Sequence, residues 1–367
     1  MSFYNIIEKY NAFDIDSYLL NVTDEDVIFS LEKNNLDEYD LLNLLSEKAS
    51  NYLEEMAQKA NEITNRYFGK TILLYTPMYI ANYCVNKCLY CGYNIDSTIT
   101  RKKLNMDEVS IEGKAISNEG FKHLLLLTGE SKIHSNVEYI GDAVDRLKSD
   151  FSSITIEVYP MDEDEYKYLV DKGVEGLTIY QEVYDEKIYK DVHVKGPKSN
   201  YRYRLDAPER GIKAGMRSIS IGALLGLNDF RKETFFTLMH GKYLRNKYPH
   251  IDISYSIPRI RPFKGCYENI LDVEDKDLVQ AMIVMRLFDN QGGINLSTRE
   301  NLNLRKNLIP LGVTKLSAGV STNVGGHSQD GEDTSQFKIS DESSVSEIKN
   351  MLNEIGYQHI FKDWERF

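Results

Sequence analysis

Three of the chain's four cysteines, Cys84, Cys88 and Cys91, fall within eight residues in the spacing C-x3-C-x2-C. Three thiols this close suit a metal or an iron–sulfur cluster, the commoner use of clustered cysteines where thiols stay reduced. A structural zinc site is closed by four ligands and typically pairs one C-x2-C with a second. Here only Cys266 or one of seven histidines could complete such a set. A cube of four irons normally takes one thiolate per iron, so three cysteines leave one iron open to another ligand. On spacing alone a zinc-binding interaction module remains an alternative.

Composition narrows the setting. The net charge of -12 and a pI near 5.2 leave no basic footprint for DNA or RNA, whose phosphates demand one. The start, "MSFYNIIEKYNAFDIDSYLL", is broken by charges and lacks the apolar core and cleavage site of a secretory signal. The longest aliphatic run, Leu124 to Leu127, is far too short to span a bilayer. These features predict a cytoplasmic protein with a small-molecule or protein partner and no membrane association.

The elements that must position the cysteines follow from periodicity. Leu42, Leu45, Ala49, Leu53, Met56, Ala60, Ile63 and Tyr67 recur at helical spacing and predict one long amphipathic helix ending at Gly69. Short β-branched or aliphatic runs then alternate with amphipathic stretches. The predicted strands cover 71–77, 122–128, 154–160, 176–182, 218–224, 251–257, 293–298 and 313–318. Helices are expected near 107–119, 137–149, 163–172, 200–214, 230–247, 274–289, 299–308 and 343–355. Near-continuous apolarity in several strands suits a parallel sheet covered on both faces. Eight such units predict a (β/α)8 TIM-type barrel, an α/β fold, over 71–325. An N-terminal helical extension over 1–70 precedes it, and a C-terminal helix and tail over 326–367 follow.

In such a barrel the active site lies at the C-terminal ends of the strands. The cysteine loop follows the first strand. Thr128, Gly129 and Glu130 end the second, Gln181 and Glu182 the fourth, and "PRIRP" (258–262) the sixth. "STRE" (297–300) and "SAGVSTNVGG" (317–326) end the seventh and eighth. All should ring one mouth.

With an aromatic residue, Tyr90, just before its last cysteine, the motif resembles the signature of the radical S-adenosylmethionine superfamily. The resemblance implies a [4Fe-4S] cluster on Cys84, Cys88 and Cys91 whose open iron chelates S-adenosylmethionine, the source of a 5'-deoxyadenosyl radical. "TGE" resembles the segment whose backbone binds the amino group of S-adenosylmethionine in that superfamily. "YQEVY" resembles the strand-4 segment whose Glu contacts its ribose. Together with "GPKSNYRYRLDAPERG", "IGALLGLNDFR", "NLIPLGVTKLSAGVSTNVGGH" and "GYQHIFKDWERF", nearly the whole chain is similar to the tyrosine lyases of bacterial thiazole biosynthesis. That family splits tyrosine at Cα–Cβ into 4-cresol and 2-iminoacetate, which passes to thiazole synthase. The related lyase of hydrogenase maturation carries a second cysteine-ligated cluster, whereas this chain has no cysteine after Cys266, which favours the thiazole branch. A lyase acting on another aromatic amino acid is the other alternative.

The resemblance sets expectations for single residues. Arg299 is the expected bidentate partner of the substrate carboxylate, because a guanidinium fixes a planar anion in position and orientation. Its alternative is a surface ion pair at a helix start. Ser297 and Ser317 are expected hydrogen-bond donors to the same substrate, or else caps and turn formers. Arg204 is a candidate for the carboxylate of S-adenosylmethionine, as is Arg210, with surface ion pairing the competing role for both. Arg259 and Arg261 are candidates for the mouth, and His327 for a proton donor or rim residue. Arg101, Lys102 and Lys103 form a basic triplet beside the cysteine loop that would suit an acidic flavodoxin or ferredoxin electron donor, with a solvated basic turn as the alternative.

Overall fold

The computed structural model describes residues 2–265, 267–329 and 333–362. Eight parallel strands close on themselves: β1 Thr71–Ala81, β2 His123–Thr128, β3 Ser153–Glu157, β4 Val174–Thr178, β5 Ser218–Gly222, β6 Asp252–Ser256, β7 Gly293–Leu296 and β8 Lys315–Ser317. The first and last strands join in register, Leu74 opposite Leu316, so the barrel has no open edge there. Each strand is almost wholly buried; His123–Thr128 is near-continuously apolar, whereas Ser218–Gly222 and Asp252–Ser256 alternate Ser with Ile or Tyr.

The N-terminal segment is helical, as periodicity predicts, but the expected long helix is broken. It becomes Glu38–Leu45, a 3-10 turn over Lys48–Tyr52 and Leu53–Tyr67. The cause is tertiary: Gln280, on the helix Asp275–Phe288, donates to the carbonyls of Leu44 and Ser46 at 2.9 and 2.8 Å. Those carbonyls are thereby drawn out of the helical ladder. The expected helix over 200–214 also divides, into Tyr201–Leu205 and Ala207–Lys213, with Pro208 opening the second piece.

Two strands that periodicity did not reveal, one on the cysteine loop and one after the expected C-terminal helix, complete the fold. A short helix, Glu186–Val192, is capped by Asp185 and leads into a strand, His193–Lys195, that pairs antiparallel with Lys87–Cys88 of the cysteine loop. At the C-terminal end, a helix, Val345–Glu354, is followed by Gln358–Ile360, which pairs with β1 at Thr71–Leu73. Between β8 and that helix, residues 333–341 cross the mouth of the barrel. No helix among the described residues is long and apolar enough to cross a membrane.

Candidate active site at the barrel mouth

The three cysteines sit on the loop after β1, on the C-terminal side of the barrel. Cys88 is buried; Cys84 and Cys91 are half-buried, and all three are free thiols. Burial pushes the Cys88 thiol up to about 12 and raises Cys91 as well, so a metal must displace protons from them. The sulfurs are met by N–H donors. The Asn86 amide reaches Cys84 Sγ at 3.6 Å, the Tyr93 backbone N–H reaches Cys91 Sγ at 3.4 Å, and the Gln336 amide reaches Cys91 Sγ at 3.6 Å. Such donors suit thiolate ligands of a cluster, whose charge they stabilise. Among the described residues no three His, Cys, Asp or Glu side chains converge tightly enough to hold one ion. A cube does not require that, since each thiolate binds a different iron.

The loop is held in place by Asn86, a buried residue that sequence reasoning passed over. Its amide donates to Glu130 Oε2 at 2.6 Å and its Oδ1 accepts from the Lys198 backbone N–H at 2.9 Å. The Val85 N–H donates to the Glu130 carbonyl at 2.9 Å, and the Gly129 N–H to Ala81 at 2.9 Å. A Cβ at Gly129 would overlap the Tyr83 carbonyl, so only glycine fits. Gly129 and Glu130 therefore hold the start of the cysteine loop, and Thr128 Oγ1 is buried with no hydrogen-bond partner in the structure.

Beside Cys91 and Tyr90 opens a cavity that faces solvent on one side. It brings together Glu182, Ser297, Arg299 and Ser317 from the ends of three strands, as strand order predicts. Arg299 does not start a helix, because the nearest one begins at Leu302. Its guanidinium lies over the Phe337 ring at 3.5 Å and near the Arg259 carbonyl at 3.5 Å. None of the ion pairs among the described residues involves it. Ser317 Oγ accepts from the Thr298 N–H at 3.1 Å, and Ser297 Oγ from the Arg299 N–H at 3.4 Å, so both hydroxyls also shape the arginine's loop.

Glu182 carries the one positive φ among described residues other than glycine, 72°, a strained conformation of the kind that clusters at functional sites. Burial opposes its charge, but Lys198 at 2.7 Å and Arg204 at 3.4 Å outweigh that and hold the carboxyl below its ordinary range. Arg204 is buried rather than on the surface: its Nε donates to the Tyr180 carbonyl at 2.7 Å. It and Gln181 stand behind the cavity wall, and Gln181 Nε2 is buried without a partner.

Other expectations are corrected by what the side chains touch. Arg210 donates to the Met161 and Tyr203 carbonyls, both at 2.7 Å, instead of pairing at the surface. Arg259 and Arg261 are both paired to Glu300; Arg259 also donates to the Val273 carbonyl, and Arg261 lines the cavity. His327 is a latch, its N–H on Glu112 at 2.8 Å and its Nε2 3.0 Å from the Pro77 carbonyl. Of the basic triplet, half-buried Arg101 donates to the carbonyls of Asn82, Tyr93 and Asn94, Lys102 reaches Gln329 at 2.8 Å, and exposed Lys103 lies 4.0 Å over the Tyr139 ring. Cys266 lies outside the described residues.

Four cavity residues escaped sequence reasoning. Glu157 ends β3, and its carboxyl is pushed up to about 7 by burial and by Glu182, against the pull of Arg299, Arg204 and Lys198. Lys198 lies 5.6 Å from the Tyr90 ring centroid and comes from the "GPKS" turn. Gln336 and its neighbour Phe337 arrive from the chain crossing the mouth. Behind the wall, His193 Nε2 lies 2.6 Å from the Tyr90 hydroxyl, and burial keeps its imidazole neutral. A lone carboxylate in the apolar strand "ITIEVYP" was the visible signal for Glu157; none marked His193.

Comparison with known proteins bears on what this arrangement serves. Residues 78–238 match the Radical SAM superfamily and 256–358 the Biotin and Thiamin Synthesis associated domain. The 2-iminoacetate synthase of Escherichia coli is 35% identical over 98% of this chain and 97% of its own length. The chain belongs to the 2-iminoacetate synthase family of radical S-adenosylmethionine enzymes. The family's Salmonella typhimurium member is likewise 35% identical, over 98% of this chain and 96% of its own. Among solved structures, the FeFe-hydrogenase maturase HydG from Carboxydothermus hydrogenoformans is 28% identical with a TM-score of 0.86, covering 98% of this chain and 83% of that one. As in the superfamily generally, the cofactors are a [4Fe-4S] cluster and S-adenosylmethionine, and the three thiols with their N–H donors fit the first of these. Family membership also closes the zinc-module alternative.

Proposed function

We propose that this protein is a carbon–carbon lyase that splits L-tyrosine at Cα–Cβ into 2-iminoacetate and 4-cresol, supplying thiazole synthase in the cytoplasm and taking its electron from a flavodoxin or ferredoxin. The observation that carries this reading is Arg299: a guanidinium in the cavity beside Cys91, stacked on Phe337 and without a carboxylate partner among the described residues. A partly desolvated cation in that position calls for an anion. The planar carboxylate of an amino acid fits its fork. Tyr75, Tyr79 and Tyr180 line the same cavity and provide faces for an aromatic ring.

When bound, the cluster and S-adenosylmethionine supply a 5'-deoxyadenosyl radical that abstracts hydrogen. The protein's part is to hold the substrate and control its protons. Arg299 anchors the carboxylate, with Ser297 and Ser317 beside it. Glu182, kept ionised by Lys198 and Arg204, is the acceptor for ribose hydroxyls at the cluster end. Hydrogen abstraction from nitrogen needs an uncharged amine, and Glu157 is placed to take the ammonium proton, becoming a neutral carboxylic acid as the amine becomes free. A base poised near neutrality is suited to that task.

The sign of the pH dependence follows. Below about 7 Glu157 is protonated and cannot accept, so kcat/KM for tyrosine falls as pH drops through that value. Glu157→Gln should lower turnover by about 10²- to 10⁴-fold and flatten the acid limb. Rates of 4-cresol formation across pH 5.5 to 8.5 measure both. An acid limb that persists in Glu157→Gln assigns the proton to another group, and no cresol from the wild-type protein removes the tyrosine reading itself.

A further inference from the structure

Residues 333–341 cross the barrel mouth as a strap tied at both ends to the site. At one end the Asn82 amide donates to the Thr334 carbonyl at 3.3 Å, and the Asp333 carbonyl accepts from the Thr100 N–H at 3.3 Å. Both partners belong to the segment that carries the cysteines. At the other end the Ser340 and Asp341 N–H groups donate to the Thr298 carbonyl at 2.9 and 3.1 Å, immediately before Arg299. Asp341 is also ion-paired to buried Arg305. Between these anchors two adjacent residues face opposite ends of the cavity. Gln336 accepts from the Tyr79 hydroxyl at 3.2 Å through Oε1, which turns its amide nitrogen to Cys91 Sγ at 3.6 Å. Phe337 presents its ring face to the Arg299 guanidinium at 3.5 Å. The fit is close: a Cβ at Gly92, the residue after Cys91, would overlap the Gln336 carbonyl.

We propose that this strap couples substrate binding to cluster reduction: a carboxylate anchored on Arg299 holds Phe337 in place and, through it, the Gln336 amide on the Cys91 sulfur. The inference rests on the readings of Arg299 as the substrate anchor and of Cys91 as a cluster ligand. A hydrogen bond to a ligand sulfur favours the more electron-rich state of a cluster. Holding that bond therefore eases reduction when substrate is present, and by reciprocity a reduced cluster tightens substrate. Gln336 is a positioning residue in this scheme; it touches neither substrate nor reacting atoms.

The test is the ratio of reduced to oxidised cluster, read by electron paramagnetic resonance at a fixed poise of dithionite and viologen mediators, with and without tyrosine. Iron content and tyrosine binding by equilibrium dialysis are measured on the same samples. In the wild-type protein tyrosine should raise the ratio. Gln336→Leu, at full iron content, should lower it about tenfold, the scale of one hydrogen bond to a charged group, and should not respond to tyrosine. Phe337→Ala should bind iron fully yet lose the tyrosine response, and Phe337→Tyr, which keeps the aromatic face, should regain it. A Gln336→Leu protein with the wild-type ratio at full iron, or a Phe337→Ala protein that responds like wild type, overturns the coupling. Wild-type protein that takes up no iron or fails to bind tyrosine overturns the underlying readings instead, a result distinguishable from the first.

Discussion

Cys84→Ala, Cys88→Ala and Cys91→Ala should each release no measurable 5'-deoxyadenosine from S-adenosylmethionine after anaerobic reconstitution, while Cys266→Ala retains the wild-type rate. The three thiols lie on one loop that Asn86, Glu130 and the His193–Lys195 strand fix from different sides. A loop so constrained has no fourth cysteine to substitute for a lost ligand. With only two thiolates, two irons of a cube would lack protein ligands. The check is acid-labile sulfide and iron per chain together with 5'-deoxyadenosine by chromatography. A Cys88→Ala protein that cleaves S-adenosylmethionine at the wild-type rate would contradict the assignment of these residues as the cluster ligands.

The second large effect is expected at Arg299. Truncating one side of a hydrogen-bonded charge pair costs about 2 to 5 kcal/mol, roughly 30- to 5000-fold in kcat/KM for tyrosine. Arg299→Lys should also fail, because a lysine ammonium is a point charge without the planar fork and stacks less well on Phe337. Slow cleavage of S-adenosylmethionine without tyrosine should survive in both variants, since the cluster loop is untouched. Steady-state kinetics with tyrosine, set beside substrate-free 5'-deoxyadenosine release, separate the two. Unchanged tyrosine kinetics in Arg299→Ala would move the carboxylate anchor elsewhere, with Arg261, which lines the same cavity, the next candidate.

How far the sequence revealed this site follows from the range of the interactions involved. The cysteine motif is local, and its meaning survives without a fold. Strand periodicity gave the barrel, and the barrel's one-sided active site then placed Glu182, Ser297, Arg299 and Ser317 together without any contact being known. Residues whose roles depend on what packs on them were misread or missed. Arg204, with surface ion pairing as one of its two expected roles, is instead buried against Glu182. Arg101 looked like a docking charge, yet it is consumed by three loop carbonyls. Gln336 and Phe337 lie some 245 residues after the cysteines, in a segment that reads only as loop. Nothing short of the tertiary fold puts an amide from that segment on Cys91. The broken N-terminal helix has the same origin, a distant glutamine taking two of its carbonyls.

The most direct test is product analysis after anaerobic reaction of the reconstituted protein with tyrosine, S-adenosylmethionine and dithionite. The expected products are 4-cresol and 5'-deoxyadenosine in equal amounts, with 2-iminoacetate recovered after hydrolysis as glyoxylate and ammonia, and no carbon monoxide trapped by deoxyhaemoglobin in the same vial. Release of 5'-deoxyadenosine without cresol would contradict tyrosine as the substrate, and stoichiometric carbon monoxide would contradict 2-iminoacetate as the end product.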